Sequence, residues 1–129
     1  MNLIEYSWAD IESIIDDLIA DVKYLDFTHI YGLPRGGLIP AVLLSHKLDV
    51  KLTTDPFFTN KLLVIDDIVD TGHSIKPYIS WGCTIVSLHY KEQAIFEPNL
   101  YHTKVPNDAW VVYPWENKNA KTIQDYLKK

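Results

Sequence analysis

The chain has 129 residues, 47% of them hydrophobic, so it can form one domain with a proper core, and we expect residues 1–129 to be that domain. Its formal net charge of −5 argues against a nucleic-acid partner, and its sequence has no apolar run long enough for a membrane helix. A single cysteine, Cys83, and a start without a signal-peptide pattern fit a cytoplasmic location.

The predicted elements alternate between helices and strands along the chain. Ser7, three residues before Asp10, is typical of a helix N-cap, and apolar residues at helical spacing then predict an amphipathic helix over 8–24. Repeated strand–helix–strand crossovers favour an α/β fold, in which helices flank a parallel β-sheet. The other predicted strands are 28–33, 50–53, 62–65, 84–88 and 110–113, and the other helices are 38–48, 74–80 and 120–127.

The segment 62–74, LLVIDDIVDTGHS, is the most informative part of the sequence. Its four apolar residues predict a strand covered on both faces, so that Asp66 and Asp67 emerge at the carboxyl end, where ligands bind in open α/β sheets. In the next turn Gly72 permits unusual backbone angles, and hydroxyl and N–H groups can surround a phosphate. The pattern indicates a ribose phosphate ligand; the alternative is a solvated strand end with helix N-caps.

A second candidate anion site is the turn 33–37, LPRGG, between a predicted strand and a predicted helix. Arg35 and the backbone amides can surround a dianion, and the glycines let the backbone approach it closely. Taken alone, the turn favours a Gly-rich connection with a surface arginine. Its position ahead of the segment 62–74 favours the anion site.

The segment 62–74 resembles the phosphoribosyl-diphosphate (PRPP) signature of type I phosphoribosyltransferases, in which two acids follow a hydrophobic strand and Asp-Thr-Gly follows two more apolar residues. The Arg-Gly-Gly of 35–37 resembles that family's diphosphate loop, where a peptide is sometimes cis. Lys91 and the segment 110–116 are similar to the base-binding lysine and the Trp-aliphatic-x-x-Pro-Trp-acid segment of the bacterial xanthine-guanine enzymes. Residues 6–8 extend the resemblance over most of the chain.

The resemblance implies an enzyme of purine salvage. It would transfer 5-phosphoribose from PRPP to hypoxanthine, guanine or xanthine with Mg²⁺ as cofactor, giving a nucleoside monophosphate and diphosphate, and it would form a homodimer or higher homo-oligomer. Asp70 would be the catalytic proton acceptor near the purine. The other implied assignments are Arg35 and Gly36 for diphosphate, Asp66 and Asp67 for the ribose hydroxyls, Thr71, Gly72, His73 and Ser74 for the 5′-phosphate, Lys91, Trp110 and Val111 for the base, and Asp67 with Glu116, through water, for Mg²⁺.

Two departures from the family pattern bear on this assignment. Val112 stands where the xanthine-guanine enzymes carry an acid that helps to read the 2-amino group of guanine. Residues 49–61 are shorter than the mobile hood of active relatives, which excludes water from the reacting centre, and lack its Ser-Tyr pair. They can form a reduced lid, or a tight connection that packs Phe57 and Phe58 into the core or a subunit contact.

Alternatives therefore stay open at two levels. Residue by residue, Lys91 is also consistent with a solvated lysine, Trp110 with a core residue and His73 with a solvated loop residue. For the whole chain, the main alternative is a non-catalytic PRPP- or nucleotide-binding regulator that has lost the hood. An enzyme of the same fold with another acceptor, such as a pyrimidine, is the third hypothesis.

Overall fold

The computed structural model describes residues 2–57 and 59–116. In this part of the chain, helices α1, α2 and α3 span Trp8–Val22, Leu38–Leu48 and Lys76–Ser80. The strands are β1 Asn2–Glu5, β2 His29–Gly32, β3 Lys51–Thr53, β4 Leu62–Val69, β5 Thr84–Lys91, β6 Leu100–Val105 and β7 Ala109–Val112. The helix predicted over 120–127 and the side chain of Phe58 lie outside the described residues.

The main sheet has five parallel strands in the order β3-β2-β4-β5-β6. Strand β4 lies at its centre, and its first five residues are buried, as the absence of polar alternation predicts. Helices α1 and α2 cover one face of the sheet through a core that includes Ile15, Leu44 and Ile65. Residues of α3 pack on the other face, so the predicted fold class, a parallel sheet flanked by helices, is confirmed.

Helix α1 begins with the capping box that its sequence predicts. The Ser7 hydroxyl accepts a hydrogen bond from the Asp10 amide at 3.1 Å, and the Asp10 carboxylate accepts one from the Ser7 amide at 2.8 Å. The apolar stripe of the helix is buried against the sheet. None of the helices formed by residues 2–57 and 59–116 has the length and hydrophobicity needed to span a bilayer.

Several strands differ from the prediction. Strand β4 continues beyond Ile65 to Val69 because Ile68 and Val69 pair with β5, so Asp66 and Asp67 lie within the strand and not after it. They follow the point where the pairing with β2 ends, at Ile65. The strand predicted at 110–113 is β7, which pairs with β1 in a separate two-stranded sheet. Strands β1 and β6 were not predicted.

Candidate active site

The candidate site lies where the neighbouring strands β2, β4 and β5 end. The backbones of these parallel strands carry three segments to the same edge of the sheet: the turn 33–37 after β2, the acidic end of β4 with the turn 70–74, and the loop after β5. Contacts between the segments show that they converge. Asp67 packs on Gly36, and Lys91 of β5 binds Asp70.

The turn after β2 is compact. The peptide bond between Pro34 and Arg35 is cis, as the resemblance implied, and the Gly37 amide donates to the Leu33 carbonyl at 2.9 Å. A side chain at Gly36 would overlap the Asp67 carboxylate, and one at Gly37 would overlap a β4 carbonyl. Glycine is needed at both positions because neighbouring atoms approach the backbone too closely for a side chain. The Arg35 side chain is exposed.

Two adjacent carboxylates form the centre of the site. Asp66 is 8% exposed and Asp67 is half-buried. The Asp67 amide donates to Asp66 Oδ1 at 2.9 Å, and the Ser74 hydroxyl also bonds the Asp66 carboxylate. Burial and the neighbouring Asp67 charge raise the pKa of Asp66 well above its usual value, and burial also raises the pKa of Asp67. The surroundings of the pair therefore compensate little of its negative charge, which suits hydroxyl donors or a cation.

This uncompensated charge gives a prediction for the Asp66→Asn variant. Because the folded-state pKa of Asp66 is raised, the folded protein binds more protons than the unfolded chain as pH rises above 3.8, and stability falls with rising pH. We expect Asp66→Asn to raise the free energy of unfolding at pH 7 by about 1 kcal/mol. Urea unfolding at pH 5, 7 and 8 measures it; a variant less stable than wild type at pH 7 would contradict the prediction.

The acidic residues fit Mg²⁺ only in part. The Glu116 charge contributes to the raised pKa of Asp67, which indicates that the two carboxylates are near one another. Within the described residues, however, no three His, Cys, Asp or Glu side chains are arranged to hold a metal ion. Since Mg²⁺ commonly binds one or two carboxylates together with substrate phosphates, the residues fit an ion delivered on the substrate better than a resident one.

The turn 70–74 is held from outside by the loop that follows β5. Gly72 has a φ of 88°, and Ile95 donates its amide to the Thr71 carbonyl at 2.9 Å. Thr71 and His73 are exposed, whereas the Ser74 hydroxyl bonds Asp66. Helix α3 begins at Lys76 and not at 74, so all four residues predicted to bind the 5′-phosphate belong to the turn.

Asp70 and Lys91 bond to each other. Lys91 is the last residue of β5, and its side chain is only 8% exposed, so it is not a solvated surface lysine. Its Nζ lies 3.2 Å from Asp70 Oδ2, while Gln93 Nε2 donates to Asp70 Oδ1 at 2.6 Å. Gln93 was not predicted, because nothing in its local sequence marks it and its role depends on the loop folding back over Asp70.

The predicted base-binding residues of β7 lie in the two-stranded sheet with β1, and the contact that links this part of the chain to the acidic pair comes from Tyr113, just after β7. Trp110 and Val111 are half-buried and pair with Leu3 and Ile4 of β1. Beyond them Tyr113, which was not predicted, donates its hydroxyl to the Asp67 carbonyl at 3.1 Å. Phe57 is 37% exposed, with its ring edge against His29, so it does not fill the core.

The chain is similar in sequence and in fold to known phosphoribosyltransferases, although no family model matches it. It is 25% identical to the xanthine-guanine phosphoribosyltransferase of Chromohalobacter salexigens over 85% of this chain and 82% of that protein. The crystal structure of a purine phosphoribosyltransferase from Pyrococcus horikoshii superposes with a TM-score of 0.81 at 26% identity, covering 96% of this chain and 100% of that one.

A further related fold is that of a Neisseria gonorrhoeae protein solved with bound ppGpp, with a TM-score of 0.70, 20% identity, and coverage of 92% of this chain and 91% of that one. At that identity the likeness concerns the fold alone. The two solved structures share the fold of this chain, and the Chromohalobacter and Pyrococcus proteins are both named as phosphoribosyltransferases. The chain therefore has the fold of the type I phosphoribosyltransferases and is similar in sequence to their bacterial xanthine-guanine members.

Proposed function

We propose that the protein transfers 5-phosphoribose from PRPP to an oxopurine base. The observation that carries the proposal is the convergence at one sheet edge of a glycine turn packed on Asp67, a carboxylate pair in which Asp66 is buried, and an aspartate bound by a buried lysine. These features offer separate contacts for diphosphate, ribose and base. Similarity to purine phosphoribosyltransferases supports the same reaction class.

In this proposal Asp66 and Asp67 bind the ribose hydroxyls, and Arg35 with the amide of Gly36 binds the diphosphate. Thr71, Gly72, His73 and Ser74 surround the 5′-phosphate. The base nitrogen forms a bond to the anomeric carbon while the bond to the diphosphate oxygen breaks, with inversion at that carbon. Mg²⁺, held by Asp67 and through water by Glu116, would neutralise charge on the diphosphate when bound.

The pairing of Asp70 with Lys91 supports an oxopurine as the acceptor. In the tautomer of a free oxopurine that carries its proton on N7, an N–H donor lies beside the acceptor oxygen O6, so the base calls for a proton acceptor next to a hydrogen-bond donor. Asp70 and Lys91, 3.2 Å apart, offer this pair side by side. Asp70 would accept the proton lost by the base, and Lys91 would donate to O6. Val112, which replaces the family's acid, favours hypoxanthine over guanine.

The proposal is tested by mixing the protein with PRPP and MgCl2 and with hypoxanthine, guanine, xanthine or adenine in parallel. We expect nucleoside monophosphate and diphosphate in equal amounts with an oxopurine. Calorimetry of PRPP on the same sample separates binding from turnover. If PRPP is turned over but none of the four purines acts as acceptor, the acceptor is another compound. If neither turnover nor PRPP binding is detected, the proposal is contradicted.

A second candidate function is a nucleotide-binding regulator of the same fold. The short connection 49–61, in place of a hood, favours it, and so does the ppGpp bound to the Neisseria protein. Such a protein would bind PRPP or a guanine nucleotide tightly and turn over none of the four bases. The assay, together with calorimetry of PRPP and of ppGpp, therefore decides between the two functions.

Arg35→Ala tests the diphosphate loop. Because a hydrogen bond to a charged group contributes about 1.5–3 kcal/mol, we expect PRPP affinity to fall roughly tenfold to a hundredfold. Calorimetry with PRPP and with diphosphate measures the change, and both ligands should lose affinity alike. Lys51→Ala, which removes an exposed positive charge on β3, is the matched control and should leave both affinities unchanged. Equal affinities in wild type and Arg35→Ala would place Arg35 outside the site.

A further inference from the structure

Two buried polar side chains, His89 and Tyr113, form a hydrogen-bond chain that ends on the main chain of the acidic pair. His89 is fully buried on β5, and Tyr113 is 2% exposed. His89 Nδ1 lies 2.7 Å from the Tyr113 hydroxyl, which donates to the Asp67 carbonyl at 3.1 Å. Because burying polar groups costs free energy, phenylalanine at both positions would fill this core more cheaply. The chain of hydrogen bonds therefore calls for a reason other than packing.

The direction of the hydrogen bonds follows from the donors available. Burial, with His102 nearby, lowers the pKa of His89 to about 4, so its ring is neutral at physiological pH and carries one N–H. If the Tyr113 proton is directed at Asp67, the hydroxyl can only accept from His89, which places that N–H on Nδ1. His89 Nε2 has no hydrogen-bond partner among the described residues, so no other hydrogen bond favours a proton on that nitrogen.

The peptide unit between Asp67 and Ile68 is held at both of its polar atoms. Its carbonyl accepts from the Tyr113 hydroxyl, and its N–H, that of Ile68, donates to Asp67 Oδ1 at 2.7 Å. The orientation of this peptide plane and the direction of the Asp67 carboxylate are therefore coupled. Loss of the Tyr113 hydroxyl would let the plane rotate and carry the carboxylate with it.

The same tyrosine connects to the second acid of the site. Its backbone amide donates to Glu116 Oε1 at 2.9 Å, and its ring stacks on Trp115 with parallel planes and centroids 4.9 Å apart. The stacking fixes the ring, so the hydroxyl meets Asp67 in one orientation. Tyr113 thus contacts both the main-chain carbonyl of Asp67 and the carboxylate of Glu116.

We propose that Tyr113, oriented by His89, is a positioning residue that fixes the Asp67–Ile68 peptide and thereby directs the Asp67 carboxylate into the ribose site. The ligand in this statement rests on the proposed function, but the fixing of the peptide does not. Asp67 touches the substrate in this account; Tyr113 and His89 act through it.

The test compares Tyr113→Phe, which removes only the hydroxyl, with Tyr78→Phe. Tyr78 is the matched control, because its hydroxyl bonds Tyr31 on the other face of the sheet, away from Asp67. We expect Tyr113→Phe to speed hydrogen exchange of the Ile68 amide about tenfold, with little change at core amides of β4 such as Val64. We also expect PRPP affinity in MgCl2 to fall about tenfold. Tyr78→Phe should change neither quantity.

Nitrogen NMR of the His89 ring gives a third measurement, in which the proposal requires a proton on Nδ1. Unchanged Ile68 exchange in Tyr113→Phe, faster exchange across all core amides, or a proton on His89 Nε2 would each overturn the proposal. If wild type fails to bind PRPP, the proposed function fails, and the exchange at Ile68 still decides the positioning role. If wild type binds PRPP and Tyr113→Phe binds it equally well, only the positioning role fails.

Discussion

Asp70→Asn is expected to reduce kcat with PRPP and an oxopurine by a factor of about 10² to 10⁴ while leaving PRPP affinity nearly intact. A positioned proton acceptor contributes a factor of this size to a transition state, and asparagine cannot take up the proton. Its side chain is isosteric, and its single oxygen can still accept from Lys91, although the hydrogen bond that Gln93 donates to the second carboxylate oxygen is lost. The measurement is initial-rate kinetics together with calorimetry of PRPP.

Asp26→Asn is the matched control for this variant. Asp26 also forms an ion pair with a lysine, Lys61, but it precedes β2 at the opposite end of the strand from the site. Its substitution should leave kcat within about twofold of wild type, because exposed ion pairs contribute little. Wild-type kcat in Asp70→Asn would remove Asp70 from the mechanism, and an equal loss in both variants would point to the fold as a whole.

Gly36→Ala is expected to weaken PRPP binding about a hundredfold with a much smaller effect on stability. A methyl group at this position would overlap the Asp67 carboxylate and force it out of its place. The φ of Gly36 is not positive, so the backbone itself tolerates alanine, and the cost falls on the ligand site. Loss of the hydrogen bonds between the Asp67 carboxylate and the ribose hydroxyls, each of which contributes about 1.5–3 kcal/mol when one partner is charged, accounts for an effect of this size.

Gly82→Ala gives the opposite pattern and serves as the control. Gly82 has a φ of 75°, so alanine there strains the backbone, but the added methyl group would meet only Asn60 at 3.6 Å. We expect Gly82→Ala to lower the free energy of unfolding by about 1 kcal/mol and to leave PRPP affinity unchanged. Gly36→Ala with wild-type affinity would show that Asp67 can move without loss of binding, which contradicts its assigned contact with ribose.

Local sequence patterns were sufficient to predict many of the helices and strands. The helix predicted over 38–48 coincides with α2, and the Ser7 and Asp10 pattern forms the capping box at the start of α1. The apolar run at 62–65 correctly predicts a buried central strand. These features depend on residues close together in the chain, where periodicity and capping chemistry act directly.

Features set by distant partners were not predictable in this way. The four residues of β1 have little burial of their own and form a strand because they pair with β7. Strand β6 is half-exposed at the sheet edge, so it lacks an apolar run to mark it. Strand β4 passes through its two acids because β5 continues alongside it, which the sequence of β4 alone does not indicate.

The same limit applies to the site. The acidic pair, the glycine turn and Lys91 follow from strand ends and a resemblance, and the structure brings them together. Gln93 and Tyr113 act through single contacts, one to the Asp70 carboxylate and one to the Asp67 carbonyl. A glutamine in a loop and a tyrosine after a strand carry no signal of such contacts until the chain is folded.

The central claim is that the protein passes phosphoribose to a base and not to water, despite the short connection 49–61. Phosphorus NMR of PRPP, MgCl2, hypoxanthine and the protein in one tube tests it most directly, because nucleoside monophosphate, diphosphate and ribose 5-phosphate give separate signals. We predict that monophosphate and diphosphate grow together as PRPP disappears. Intact PRPP, or ribose 5-phosphate in place of the nucleotide, would contradict the account.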